Sequence, residues 1–247
     1  TMALKASPDD QALLLDLQAL DTKLAQLDHR ARSLPELATL AALTTEGDAL
    51  RVARLEQQGL LENVQLELSR LESDVQVVET RIARDSERLQ ASSSVKDVAA
   101  LEQELSALRK RLDDLEEIEL SVMEKLEEHQ SQVDETAGRL AELLEQVAAI
   151  EATRDAALAS IGAERTTAAS GRRTIEAKVP ADLLALYEKQ RTRYGTGASL
   201  LRGGVSLASG VKLLEDELQK IRAAAPDDVL ICPSSDAILV RTDESGL

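Results

Sequence analysis

Apolar residues recur every three or four positions through most of the chain, a spacing that places them on one face of an α-helix. The first such segment covers residues 9–34, and Pro35 predicts a kink or a restart after it, because proline disfavours helical backbone in the residue before it. Its apolar stripe is predicted at Leu14, Leu17, Leu20, Leu24, Leu27 and Ala31.

A second helix with a stricter repeat follows. Its apolar positions alternate between spacings of three and four, with only Asp85 out of place. A repeat of about 3.5 residues sustained over several turns is typical of a coiled-coil seam. The predicted seam positions are Leu61, Val64, Leu68, Leu71, Val75, Val78, Ile82 and Leu89.

A serine-rich stretch at 92–94 interrupts the repeat, which then resumes at once. His129 falls on the resumed seam, where we interpret it as a polar residue that sets the register rather than as a ligand or a pH switch. A short turn between two long striped helices folds the second back antiparallel on the first. We therefore predict a helical hairpin over residues 1–175, with its turn near 92–94. The resumed seam is predicted at Val98, Leu101, Leu105, Leu108, Leu112, Leu115, Ile118, Val122, Leu126, Val133, Ala137, Leu140, Leu144 and Val147.

The helical spacing of apolar residues ends after residue 175. Pro180 suits the start of a short helix over 181–194, inside a connecting segment 176–195. From 196 to 247, short apolar runs that suit β-strands alternate with turn residues around one amphipathic helix. The predicted fold class is therefore mainly α, a long antiparallel coiled-coil hairpin followed by a small C-terminal α+β domain.

The composition favours long helices over an ordinary globule. Only two of the 247 residues are Tyr and none is Phe or Trp, while 30% are charged. The net charge of −16 argues against bulk attraction to nucleic acid or to an anionic membrane. We expect a cytoplasmic protein, because no apolar stretch approaches the about 20 residues of a membrane span and the N-terminus lacks a signal-peptide core.

Two turns in the C-terminal domain have the spacing of paired metal ligands. Two residues separate Ser206 from Ser209, and two separate Cys232 from Ser235. Cysteine at all four positions would give the ligand pattern of a four-thiolate zinc site. A serine hydroxyl stays protonated near neutral pH and is a poor zinc ligand, so we expect neither zinc nor another cofactor in this chain. The only cysteine is then expected to be a small buried residue, since no base lies near it in sequence.

Nearly the whole chain resembles a family of bacterial coiled-coil hairpin proteins that end in a four-cysteine zinc ribbon. The resemblance is carried by SSSVKDVAALEQEL, KVPADLLALYEKQR, GTGASLLRGGVSLASGVKL and VLICPSSDAILV. It implies a zinc-ribbon-like domain over 196–247, from which this chain departs by serine at 206, 209 and 235. It also implies an accessory or chaperone-like interaction role, tied in some members to flagellar or secretion regulation and in others to RNA.

No enzyme motif is visible, whether a phosphate loop, a dinucleotide fingerprint, a zinc-protease motif or a nucleophile elbow. The many carboxylates stand beside Lys and Arg on helix faces, as on any solvated coiled coil. We therefore predict a non-catalytic scaffold that binds other proteins through its hairpin, with no small-molecule substrate and no membrane partner.

An RNA-binding regulatory role is the alternative, and it rests on a basic collar at residues 165–194. This segment has seven basic and three acidic residues and contains both tyrosines of an acidic chain. Single-stranded nucleic acid stacks its bases on aromatic rings set among basic residues. The same residues could instead join the hairpin to its end domain. The candidate contacts are Arg165, Arg172, Arg173, Lys178, Lys189, Arg191, Arg193, Tyr187 and Tyr194.

Overall fold

The computed structural model describes residues 4–246, which form five α-helices, five short strands and one turn of 3-10 helix. The helices are α1 (Pro8–Arg32), α2 (Pro35–Ala91), α3 (Val95–Glu176), α4 (Ala181–Tyr194) and α5 (Glu215–Ala223). The predicted class, a mainly helical protein with a long hairpin and a small C-terminal sheet region, is confirmed. Among the residues described, no helix is both long and apolar enough to cross a membrane.

The helix ends follow local sequence signals. Ser7 caps α1 by accepting a hydrogen bond from the Asp10 amide (3.1 Å). Pro35 begins α2, as expected for a residue whose missing N–H is harmless in the first turn of a helix. The break between α2 and α3 lies at residues 92–94.

The chain forms two compact units. The hairpin unit covers Glu36–Ala152 and pairs α2 with the first part of α3. The base unit joins the chain up to Pro35 to everything from Thr153 onward. These boundaries fall inside helices, because α1 packs on the last part of α3, where Leu27, Leu34 and Ile161 form one cluster.

The two helices of the hairpin unit run antiparallel, since Arg81 pairs with Glu104 and the Leu143 side chain lies against Gly47. The structure corrects three predicted seam positions. Ile118, Ala137 and Leu144 lie beside the seam, and its positions are taken by Glu119, Thr136 and Leu143. At the first two places the predicted residue is the more apolar of the neighbouring pair, and at the third both neighbours are leucine; an unbroken alternation of three and four gives the observed set.

Several seam positions of the hairpin unit are polar. Arg54, Gln57, Asp85 and His129 each place one polar atom in a buried position without a hydrogen-bond partner. The other oxygen of Asp85 lies 3.2 Å from Arg88 Nη1. Polar seam residues of this kind lower coiled-coil stability and favour one register over its neighbours.

The C-terminal domain is built on a five-stranded sheet. The strands are β1 (Ala198–Arg202), β2 (Val205–Ser206), β3 (Val211–Lys212), β4 (Leu230–Ile231) and β5 (Ile238–Val240). Their order in the sheet is β3-β2-β1-β5-β4. The central strands β1 and β5 are parallel, and Ala198 lies opposite Ile238; the other pairs are antiparallel.

Both faces of this sheet are covered, so alternate residues of β5 enter different cores. Ile238 and Val240 pack with α1 and α4 around the fully buried Tyr187. Leu239 packs on the other side with α5 and Cys232. The domain therefore has an apolar core on each side of the sheet.

Gly197 allows the chain to pass against Tyr187. A Cβ atom at this position would lie 2.5 Å from Tyr187 Cε2, closer than two such carbons can approach. Because the ring is enclosed, we expect Gly197→Ala to lower the free energy of unfolding by about 2 kcal/mol in chemical denaturation. The control is Gly162→Ala, at an open position of α3 in the same unit, which should raise stability by about 1 kcal/mol. Equal effects of the two changes would contradict this explanation.

Candidate functional site

The two turns that carry the predicted ligand positions have the same backbone geometry. The Gly210 amide donates to the Ser206 carbonyl (2.8 Å), and the Asp236 amide donates to the Cys232 carbonyl (2.9 Å). Each turn ends in a left-handed residue, with φ of 66° at Gly210 and 57° at Asp236. Aspartate is one of the few other residues that adopt this conformation at modest cost, which hides the likeness of the turns from the sequence.

The side chains of the two turns converge. Ser206 and Cys232 are both fully buried. Ser234 Oγ bridges the turns, at 3.2 Å from Cys232 Sγ and 3.0 Å from Ser209 Oγ. Ser235 faces the same thiol, but its buried hydroxyl lacks the geometry of a hydrogen bond. The four predicted positions thus form one cluster, to which the structure adds Ser234.

Hydroxyl groups define the electrostatics of this cluster. Burial raises the pKa of the Cys232 thiol, but the surrounding hydroxyls of Ser206, Ser234 and Ser235 favour the thiolate more strongly, so the net pKa lies below its ordinary value. The thiol also belongs to the apolar cluster of Leu201 and Leu239, the environment expected of a small core residue. Within residues 4–246, no group of three or more His, Cys, Asp or Glu side chains is placed to hold a metal ion.

The basic collar is organised around a carboxylate that the sequence analysis missed. Asp21 of α1 accepts hydrogen bonds from the Tyr187 hydroxyl (2.7 Å) and from Arg172 Nε (2.7 Å). Arg172 also binds Glu188, which in turn accepts from Arg191 (2.7 Å). We call these five residues the Asp21 network.

The Asp21 network fixes the charge states of Tyr187 and Arg172. Burial and the hydrogen bond to Asp21 raise the pKa of Tyr187 well above its ordinary value, so the phenol stays neutral. Burial disfavours the charge of Arg172, but the hydrogen bonds to Asp21 and Glu188 outweigh this effect and raise its pKa. The network therefore contains a neutral donor and a permanent cation on one buried carboxylate.

A neighbouring side chain ties the same helix to the sheet. Gln18 Oε1 accepts hydrogen bonds from the amides of Gly197 (2.7 Å) and Ala198 (3.3 Å), where β1 begins. Together, Gln18 and Asp21 link α1 to α3, to α4 and to β1. The collar residues of the Asp21 network therefore have a structural role.

The structure removes several residues from the predicted nucleic-acid contacts. Tyr187 is fully buried, so no base can stack on it in the folded protein. Arg172 is only 15% exposed, and together with Arg191 it is neutralised by acidic partners. Arg165 is exposed but forms an ion pair with Asp28 (3.2 Å).

The remaining candidates lie on the surface. Arg193 and Tyr194 are exposed at the end of α4, and the guanidinium of Arg193 lies 5.2 Å from the centroid of the Tyr194 ring. Arg173, Lys178 and Lys189 are also exposed. These five residues are exposed, and within residues 4–246 their four basic side chains form no ion pair, which distinguishes them from the exposed but paired Arg165.

Comparison with known proteins places the chain in a family. Residues 17–195 match the CT398-like coiled coil hairpin domain. The chain belongs to this family. The matched region ends before the two turns that carry Ser206, Ser209, Cys232 and Ser235, so family membership concerns the helices. The curated relatives matched are uncharacterized, and no enzyme family is indicated among them.

Mycobacterial proteins are similar over nearly their full length. The uncharacterized protein Rv2229c of Mycobacterium tuberculosis is 34% identical over 241 residues, covering 97% of this chain and 98% of the relative. A solved structure from Mycobacterium smegmatis has a TM-score of 0.86 at 33% identity and covers 96% of this chain and 100% of its own. CT398 from Chlamydia trachomatis has a TM-score of 0.67 at 19% identity, covering 95% and 98%, which shows a shared fold alone.

Proposed function

We propose that this protein is a non-catalytic interaction scaffold, an accessory protein that presents its helical hairpin to protein partners. The supporting observation is a set of exposed apolar side chains on the hairpin unit, among them Leu55, Leu66, Leu120 and Met123. They lie outside the seam and do not close the hairpin. Exposed apolar side chains on paired helices are the contacts that partner helices use.

We further propose that the C-terminal domain is a ribbon in which hydroxyl groups stand where metal ligands would be. Its support is the pair of equivalent turns that converge on Cys232. Structural zinc takes Cys, His or carboxylate ligands, and one thiol with three neutral hydroxyls does not match that set. The domain instead has an apolar core on each face of its sheet. We expect it to fold without zinc or any other cofactor.

Affinity capture with cross-linking tests the scaffold proposal. The tagged full chain is incubated with lysate from the organism of origin, treated with nuclease and cross-linked at lysine. We expect partner peptides on Lys96, Lys110 and Lys125 of the hairpin unit, unchanged by nuclease. Cross-links confined to Lys212 and Lys220 of the C-terminal domain, or a complete loss of partners after nuclease treatment, would contradict the proposal.

RNA binding is kept as a second candidate because of one contact. Tyr194 is 42% exposed and has Arg193 against its ring, a pairing that single-stranded nucleic-acid sites use. The surface available for it is the accessible set Arg173, Lys178, Lys189, Arg193 and Tyr194.

We expect at most modest binding to single-stranded RNA, weakening steeply with salt, and none to duplex DNA. The combined change Arg173→Glu, Lys178→Glu, Lys189→Glu and Arg193→Glu should abolish RNA binding in a filter assay while leaving the circular dichroism unchanged. Arg172 and Arg191 are left intact because they hold the Asp21 network. A control that reverses Arg70, Arg109, Arg111 and Arg139 of the hairpin unit should bind RNA like the unmodified chain. Binding that survives the first set of changes would refute the collar as its location.

A further inference from the structure

One flank of the hairpin unit has an apolar groove whose charged lining is entirely acidic. The groove has a volume of about 660 Å³ and is formed mainly by α3, with Gln65 contributed by α2. Leu120 and Met123 are its exposed apolar residues, at 63% and 49% exposure. Its charged residues are Glu124, Glu127 and Asp134.

The register of the seam explains why these side chains are exposed. The seam positions of α3 in this stretch are Glu119, Val122 and Leu126, which turn toward α2. Leu120 and Met123 each follow a seam position by one residue, so they lie along one flank of the helix pair. We call this side of the hairpin unit, between Asp113 and Asp134, the acidic flank.

The two flanks of the same helix differ in charge. Seven residues between 113 and 134 directly follow a seam position, and four of them are acidic while none is basic. They are Asp113, Glu116, Leu120, Met123, Glu127, Gln130 and Asp134. Seven residues directly precede the same seam positions, and two of them are acidic and two are basic. They are Arg111, Asp114, Ile118, Ser121, Lys125, Glu128 and Gln132. The groove beside the exposed Val77 of α2 is lined by Arg81 and Arg84. Acidity beside an apolar groove is therefore a property of this flank and does not simply follow from the net charge.

We propose that the acidic flank is the docking surface for a basic amphipathic helix of a partner protein, an inference that rests on the scaffold function proposed above. The apolar stripe of such a helix would cover Leu120 and Met123, and its Lys or Arg residues would face Glu127 and Asp134. Methionine suits this role, because its flexible side chain adapts to the partner's shape. The same carboxylates repel the phosphates of nucleic acid and of anionic lipid.

A synthetic peptide provides the probe. A fluorescent helix of about 18 residues, with leucine on one face and lysine on the other, is titrated with the full chain in an anisotropy assay. Leu120→Ser with Met123→Ser should weaken binding by about tenfold or more. Glu127→Gln with Asp134→Asn should also weaken it and flatten its salt dependence. The matched control Ile118→Ser removes an equally exposed (48%) apolar side chain from the opposite flank and should change the affinity by less than about twofold. The corresponding leucine and glutamate peptide should not bind.

Three results would overturn the docking surface. One is equal binding of the lysine peptide by the full chain, the double serine variant and the Ile118→Ser control, which would show general charge attraction. Another is that sedimentation velocity shows the unmodified chain to be a dimer and the Leu120→Ser, Met123→Ser variant to be a monomer. A second copy of the chain would then occupy the flank. The third is that the double serine variant captures the same partners from lysate as the unmodified chain, with the same cross-links at Lys96, Lys110 and Lys125. This third result would leave the scaffold function standing, whereas the absence of any cross-linked partner would refute the function itself.

Discussion

A chain in which Ser206, Ser209 and Ser235 are all changed to cysteine should bind one zinc ion tightly, whereas the unmodified chain should bind none. The two turns already have matching backbones, and their side chains meet at the buried Cys232. Three added thiols would complete a four-sulfur set of the kind that structural zinc sites use. Such sites contribute about 10–16 kcal/mol of apparent binding free energy in zinc-finger peptides, so the thermal unfolding of the C-terminal domain should move to a much higher temperature.

Elemental analysis of the zinc content tests this prediction. The protein is purified in zinc-containing buffer, and loosely bound metal is removed before the measurement. The graded control adds Cys232→Ser to the triple variant, which leaves three thiols and should weaken zinc retention markedly. Tight stoichiometric zinc in the unmodified chain would show that the hydroxyl cluster is a metal site after all. A triple variant without zinc would show that the four positions do not converge in solution.

The pattern of apolar residues was sufficient to predict the hairpin, because a seam is a local property repeated many times. Errors arose where two neighbouring residues competed for one position, as with Ile118 and Glu119. The seam of a long helix pair follows its period, so an acidic residue takes a seam position when the count requires it. Asp85 is the clearest case, because it is fully buried on the seam although it interrupts the apolar pattern between residues 61 and 89.

The candidate sites divide along the same line. The spacing of Ser206 and Ser209, and of Cys232 and Ser235, was enough to make these four residues candidates, because a turn is built from residues close in sequence. Asp21 was missed because its partner Arg172 is 151 residues away, and no spacing rule relates such distant positions. One signal was present, since Asp21 lies four residues after Leu17 and three before Leu24, on the apolar stripe where the prediction placed Leu20.

Asp21→Ala should lower the free energy of unfolding by about 3 kcal/mol, the largest single effect we expect in the base unit. The change leaves Arg172 with less compensation for its charge at 15% exposure, and it leaves the buried Tyr187 hydroxyl without its closest acceptor. Tyr187→Phe removes only one neutral donor and should lower stability by about 1 kcal/mol.

Chemical denaturation followed by circular dichroism measures both changes. The matched control is Asp16→Ala, which removes an exposed carboxylate from the same helix and should have an effect below about 0.5 kcal/mol. Because Asp21 and Tyr187 are hydrogen-bonded to each other, the double variant should be more stable than the sum of the single effects implies. Strict additivity, or equal effects of Asp21→Ala and Asp16→Ala, would mean that the network does not hold the base unit together.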